Sequence, residues 1–235
     1  MNFFIRNRVL IGVISLLLAV IVTVAFCFFA LSRTAAKAQR LTVVLDAGHG
    51  GVDGGVVGVN SGTKESDINL KITLLLQERF EEAGFNVILT RKTEAGLYGA
   101  APNGYKKRDM QKRSEIINAN VPSLVISVHQ NFFSAKSRRG AQVFFRAESP
   151  QSIALAHSIQ GKLNAMPECV TPNLQALVGD YYILNCNPFP AVIVECGFLS
   201  NAEDEALLLS TEYQKKLVES IVLGSIEFLT SSASN

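Results

Sequence analysis

Cysteine is too scarce and too irregularly spaced to organise this chain. Four occur in 235 residues, and none forms a C-x-x-C pair, which excludes a zinc finger and a thioredoxin-like redox pair. Cys27 lies in an apolar amino-terminal run, leaving Cys169, Cys186 and Cys196. That odd number excludes a full disulfide framework, while one bridge from Cys169 to Cys186 stays open. Charge is absent from Val9 to Leu31, and no acid occurs before Asp46. A basic excess is missing too: two of the 22 Lys and Arg residues, Arg6 and Arg8, precede the apolar run, so 20 bases face 20 acids in the rest. A groove built to bind phosphates shows a basic surplus, so nucleic acid is not an expected partner. The stretch Gly48–Gly55, G-H-G-G-V-D-G-G, has neither a phosphate-loop lysine nor the spacing of a dinucleotide fingerprint.

What is present divides the chain unevenly. Hydrophobic residues make up 48% of it, which excludes a disordered chain. The 23 positions from Val9 to Leu31 suffice, at ~1.5 Å per helical residue, to cross a ~30 Å hydrocarbon layer. Arg6 and Arg8 before the run favour a cytoplasmic amino terminus, with the remainder outside. Ala36-Lys37-Ala38 has the small-x-small form of a processing site, so a cleaved leader is the rival. The run exceeds the ~7–15 residues of a signal core, and a retained anchor is the expectation. The expected segments are a cytoplasmic terminus over 1–8, a transmembrane anchor over 9–31, a linker over 32–40, one domain over 41–230 and a tail over 231–235.

The outer part reads as a single α/β domain with a central, mostly parallel sheet flanked by helices. Leu41 to Asp46 is a near-continuous apolar strand, opening into a glycine-rich loop, Gly48 to Gly62. Ile68, Ile72, Leu75, Leu76 and Phe80 recur at helical spacing until Gly84, and a strand follows over Asn86–Thr90. A basic helix around Lys107–Asn118, strands over Leu124–Val128, Ala141–Arg146 and Ala191–Val194, and helices around Ile153–Leu163 and Tyr213–Phe228 complete the order. Glu168 to Asn187 carries too many turn residues to assign.

Position then singles out a few polar residues. His49 follows the first strand, His129 follows Leu124–Val128, and Glu195 ends the last apolar run. Ligands gather at the carboxyl ends of strands in open α/β sheets. Imidazole and carboxylate suit Zn²⁺, whose catalytic sites commonly use three protein ligands. Glu65, at the start of the first helix after the glycine-rich loop, is the best third ligand, and Asp67 competes with it. Taken alone, each histidine is as readily a hydrogen-bonded loop residue, and Glu65 more readily complements a helix dipole. Glu195 resists such an explanation, because a carboxylate closing an apolar strand is costly without a partner. Asp53 reads as an Asx-type turn, His157 as structural or exposed, and Lys106, Lys107, Arg108, Lys112 and Arg113 as a solvated helix face. Cys196 should point away from Glu195 and act as a small hydrophobe.

Four blocks in order resemble the zinc-dependent N-acetylmuramoyl-L-alanine amidases of the Amidase_3 family. They are Val43-Val44-Leu45-Asp46-Ala47-Gly48-His49-Gly50-Gly51, Glu65, Ser127-Val128-His129-Gln130-Asn131 and Glu195-Cys196-Gly197-Phe198-Leu199-Ser200-Asn201. Leu89-Thr90-Arg91 and Arg113 to Asn120 add to the match. The resemblance implies zinc held by His49, Glu65 and His129, with Glu195 as the catalytic acid/base and Asp46 or Asn131 as orienting residues. Ser66, in place of a basic residue, and Cys196 beside the glutamate are mild departures. The single anchor and the Gly104–Arg108 segment look most like the germination-specific CwlD branch. That branch removes stem peptides from muramic acid so that muramic-δ-lactam can form in spore cortex.

The implied substrate is peptidoglycan, its glycan strands and stem peptides, with the amino-terminal helix contacting the membrane. The implied place is outside the cytoplasm, between mother cell and forespore membranes in an endospore former, or secreted if the leader is cleaved. An accessory activating protein is compatible with the resemblance but leaves no mark in the residues. Two other functions stay open: a zinc peptidase cutting within the stem peptide, and a tethered wall-binding protein without turnover.

Overall fold

The computed structural model describes residues 2–35, 40–99, 103–169 and 174–232, with side chains of the first helix described over 12–28. The chain forms two compact units, Met1–Arg40 and Leu41–Asn235. The first holds helix α1 (Asn2–Ala35). Its described side chains are exposed, and among the described residues no helix is long and apolar enough to cross a membrane. The expected span Val9–Leu31 extends past those side chains at both ends, and Ala36-Lys37-Ala38 lies outside the described residues.

The second unit is an α/β domain around a six-stranded sheet in the order β2-β1-β3-β6-β4-β5. Its elements run β1 (Thr42–Ala47), α2 (Glu65–Glu82), β2 (Asn86–Leu89), α3 (Tyr105–Asn120), β3 (Leu124–Asn131), β4 (Gln142–Phe145), α4 (Pro150–Asn164), β5 (Leu177–Val178), α5 (Tyr182–Asn185), β6 (Ala191–Phe198), α6 (Ala202–Leu209) and α7 (Thr211–Ser232). The pairs are parallel except β4 with β6. Local chemistry sets several boundaries. Ser149 caps α4 by accepting a hydrogen bond from the Ser152 N–H, with Pro150 in its first turn. Asn201 caps α6 in the same way, and Gly84, at φ 91°, ends the α2 region as expected.

Alternation along the strands gives the sheet two unlike faces. Val43, Leu45, Ile126, Val128, Val192 and Val194 join residues of α2, α4 and α7 in the larger core. Gly224 of α7 sits so close to Ile159 of α4 that an added Cβ would lie 2.6 Å from its Cα, so only glycine lets these helices touch. Val44, Val125, Ala191 and Ile193 point to the other face, where Ile117 of α3 and Ile183 and Leu184 of α5 cover them.

One expectation needs correction. His129 lies within β3 and Glu195 within β6, the two strands running three and four residues beyond their expected ends. The two are paired neighbours, and the register shifts only past His129. The ladder continues because backbone pairing does not require apolar side chains. The unassigned stretch Glu168–Asn187 contains β5 and α5, elements too short to leave a periodic signature. Cys169 and Cys186 are not joined by a disulfide, so the bridge left open does not form.

Candidate active site

The loop after β1 brings His49 to the carboxyl edge of the sheet in a left-handed conformation, φ 61°. Such a conformation is disfavoured for a residue with a Cβ. Two buried arginines hold it. Arg113 donates to the carbonyls of Ala47 (2.7 Å) and His49 (2.6 Å), and Arg91 to those of Ala47 (2.8 Å) and Gly48 (3.0 Å). Gly48 packs directly on His129: a Cβ there would lie 2.3 Å from the ring. Backbone and imidazole therefore approach as no larger residue would allow.

Glu65 opens α2 on the opposite side of the sheet, and its side chain reaches across the strand ends. It is 2% exposed. Its Oε1 lies 3.3 Å from His49 Nε2 and 3.0 Å from His129 Nδ1. The same oxygen accepts from the Gln130 N–H and from Asn69 Nδ2, and Oε2 accepts from the Val56 N–H. Burial alone would raise the carboxyl pKa, but hydrogen bonds and charge from His129 and His49 hold it far below the usual carboxylate range. For His49, burial opposes the charge, and the Glu65 and Asp53 carboxylates outweigh it and raise the pKa.

One donor atom each from His49, Glu65 and His129 lies within 4.8 Å of the others. Asp67 is outside this group; its Oδ1 accepts from the neighbouring Ser66 hydroxyl. Glu195 projects from β6 beside His129, half-buried, with Oε2 enclosed and without a hydrogen-bond partner. Burial pushes its carboxyl up to about 7, with His129 pulling down, Glu65 adding to the rise and His49 again opposing it. His49, His129 and Glu195 share a cleft of ≈220 Å³ walled by α3 and α5.

The sequence profile described as N-acetylmuramoyl-L-alanine amidase, Amidase_3, matches residues 43–227. The chain belongs to the Amidase_3 family. It is 32% identical over 191 residues to the germination-specific N-acetylmuramoyl-L-alanine amidase of Bacillus subtilis, covering 80% of this chain and 79% of that one. The CwlD amidase of Clostridioides difficile, solved in complex with the GerS lipoprotein, superposes with a TM-score of 0.77 at 35% identity, covering 82% of this chain and 100% of that one. An N-acetylmuramoyl-L-alanine amidase from Clostridium difficile 630 gives 0.72 at 25% identity, covering 83% and 99%.

In this amidase-family chain several supporting residues escaped the sequence reading. Asp53 accepts from the Gly55 N–H, as a turn residue does, but its Oδ1 also lies 3.1 Å from His49 Nδ1. Neither expected orienting residue touches a histidine ring. Asp46 accepts from Arg113 (2.5 Å), Ser127 and Thr90, and Asn131 accepts from the next N–H along the chain, Phe132. Asp46 acts on the loop through its ion pair with Arg113. Of the expected basic face, Arg113 is buried and paired with Asp46 and Asp109 rather than solvated. An arginine in the middle of a polar helix carries no local sign of this. His157 rests against Phe145, its ring centroid 5.9 Å away, and Cys196 is buried in the larger core.

Proposed function

We propose that this chain is a zinc-dependent N-acetylmuramoyl-L-alanine amidase, hydrolysing the amide between the lactyl group of muramic acid and L-alanine in peptidoglycan. The observation that carries the reading is the meeting of His49 Nε2, Glu65 Oε1 and His129 Nδ1 beside a carboxylate with an unpartnered enclosed oxygen. The donor set fits Zn²⁺. Two atoms each ~2.0–2.1 Å from one tetrahedral centre are about 3.3–3.4 Å apart; Glu65 Oε1 stands 3.0 and 3.3 Å from the two ring nitrogens, and all three atoms fall within 4.8 Å of one another. Asp53 on His49 Nδ1 is the outer partner that fixes ring orientation for a metal ligand. Bound there, zinc supplies Lewis-acid polarisation of the scissile carbonyl and acidifies water from ~15.7 toward ~7.

The chain's own residues do the rest. Glu195 Oε2 takes the proton of the attacking water and passes it to the nitrogen of L-alanine, because an amide nitrogen departs only when protonated. Burial places that carboxyl near neutrality, where it can both accept and return a proton. Arg113 and Arg91 keep the His49 loop in its left-handed form, so the ligand needs no rearrangement.

The step assigned is stem-peptide removal in spore cortex, ahead of muramic-δ-lactam formation. Similarity to the germination-specific B. subtilis amidase and to C. difficile CwlD supports it. Residues 9–31 anchor the chain, with the domain outside the cytoplasm between the two membranes of a developing spore. An accessory lipoprotein such as the partner in the C. difficile complex belongs to this reading.

The test is digestion of purified cortex-type peptidoglycan, with and without zinc, followed by mass spectrometry. Intact stem peptides with a free L-alanine amine are expected, only with metal. Fragments cut within the stem would indicate a peptidase, and binding without release would indicate a non-catalytic wall protein. Protease accessibility of the domain in isolated forespores whose outer membrane has been opened checks the orientation.

A further inference from the structure

The cleft holds a charge that the reaction described above does not use. On α3, Lys106, Asp109, Met110 and Arg113 all line it, at the i, i+3, i+4, i+7 spacing of a single helix face. Lys106, exposed in the first turn, therefore borders the same space as His129 and Glu195. Of the other charged residues of that space, Arg113 is engaged with Asp46 and Asp109 and Asp53 with His49, while Glu195, with its unpartnered oxygen, serves the reaction itself. Lys106 makes no hydrogen bond or ion pair with any described residue. Lys112, off that face, is paired with Glu115 at 2.9 Å.

An unpartnered ammonium bordering a reaction site selects a negative group on the ligand. The chemistry of the substrate leaves few choices. The lactyl carboxyl of muramic acid is consumed in the scissile amide, the sugar is neutral and L-alanine has no ionisable side chain. The first fixed negative charge belongs to the second stem residue, a D-glutamate joined onward through its γ-carboxyl, whose α-carboxylate stays free unless amidated. It lies one residue, ~3.3–3.6 Å of extended chain, beyond L-alanine. We propose that Lys106 is a specificity-determining residue that pairs with this α-carboxylate, so that the cleft selects stems with free D-glutamate over stems carrying D-isoglutamine. This rests on the amidase reading, and the assignment runs the stem peptide along the α3 wall.

The test measures binding separately from turnover. Zinc-loaded full-length chain carrying Glu195→Gln, in detergent, is titrated calorimetrically with two synthetic muramoyl tripeptides that differ only in acid or amide at the second residue. About tenfold tighter binding of the acid is expected, weakening as salt is added. Lys106→Met should bring the two ligands to within about twofold, Lys106→Arg should retain most of the preference, and Lys112→Met should change nothing. Lack of preference in the parent, including no measurable binding of either ligand, overturns the proposal. So does a preference that survives Lys106→Met. Turnover is then assayed in the wild-type chain: preference with no release of stem peptide would sink the amidase reading while leaving carboxylate recognition by Lys106 intact.

Discussion

The two faces of the sheet are made by the same strands and could hardly be less alike. Toward α2, α4 and α7, β3 and β6 present Leu124, Ile126, Val128, Val192, Val194 and Cys196, all in the larger core. Toward α3 and α5 the intervening residues start apolar, with Val125 and Ile193, and become Ser127, His129 and Glu195 nearer the carboxyl edge. Period two along a strand thus separates two duties. One face supplies burial, and the other supplies a scaffold for buried charge. Glu65 is the exception that joins them: its helix packs on the apolar face while its carboxylate reaches the histidines at the edge.

The largest effect belongs to the charged face. Glu195→Gln should lower the rate of stem-peptide release by about 10²–10⁴-fold while leaving zinc content unchanged. His49→Ala should lose both. Full hydrolysis by a clean Glu195→Gln protein would remove the proposed proton carrier and leave that face without a chemical purpose.

Stability sharpens the contrast next. Arg113 is 1% exposed and paired with two carboxylates, so Arg113→Met should cost about 3–5 kcal/mol by stranding them. Leu155→Ala in the opposite core should cost a similar ~2–5 kcal/mol by opening a cavity. Denaturant melts would scarcely tell them apart, but zinc titration should. Only the Arg113 change releases the carbonyl of His49, so only it should weaken metal affinity. Equal loss in both variants would mean the faces are not functionally separable.

Acid separates the faces by a different route. Although burial works against the charge of Asp46, Arg113, Ser127 and Thr90 hold its pKa well below that of an unfolded aspartate. Its contribution is therefore complete above the unfolded pKa of ~3.9 and is lost as pH falls through the lower folded value. Wild-type protein should lose stability between about pH 5 and pH 2, and the gap to Asp46→Asn should narrow over that interval. A gap unchanged by acid would show that Asp46 is not ionised in the fold.

How much of this the sequence carries follows the same division. The apolar strands and the helix faces through Ile68, Ile72 and Phe80 are legible, because burial imprints a period on consecutive residues. The histidines and Glu195 stand out through their places at the ends of those runs, and Glu65 only through its motif context. Asp53, Asn69, Arg91 and Arg113 were not legible as site residues. Their partners are set by tertiary contacts such as Arg113 with Asp46, 67 positions apart, and no local spacing encodes such a pair. The reach of β3 and β6 through polar positions was lost for a related reason: backbone pairing, not side-chain character, extends them.

The smallest effect comes from a second arginine whose bonding resembles that of Arg113 on paper. Arg79 on α2 meets Glu219 on α7 through two hydrogen bonds, at 2.7 and 3.2 Å, on the outer surface of the apolar side. Its side chain is 32% exposed and that of Glu219 43%, so water screens both charges and neither is stranded when the other is removed. Ordering two long side chains offsets most of the attraction, which leaves a net value of about 0–1 kcal/mol. Arg79→Ala should shift a urea midpoint only slightly, and high salt should erase even that. A loss approaching that of Arg113→Met would mean that this pair clamps α2 to α7, and that the apolar side also depends on charge.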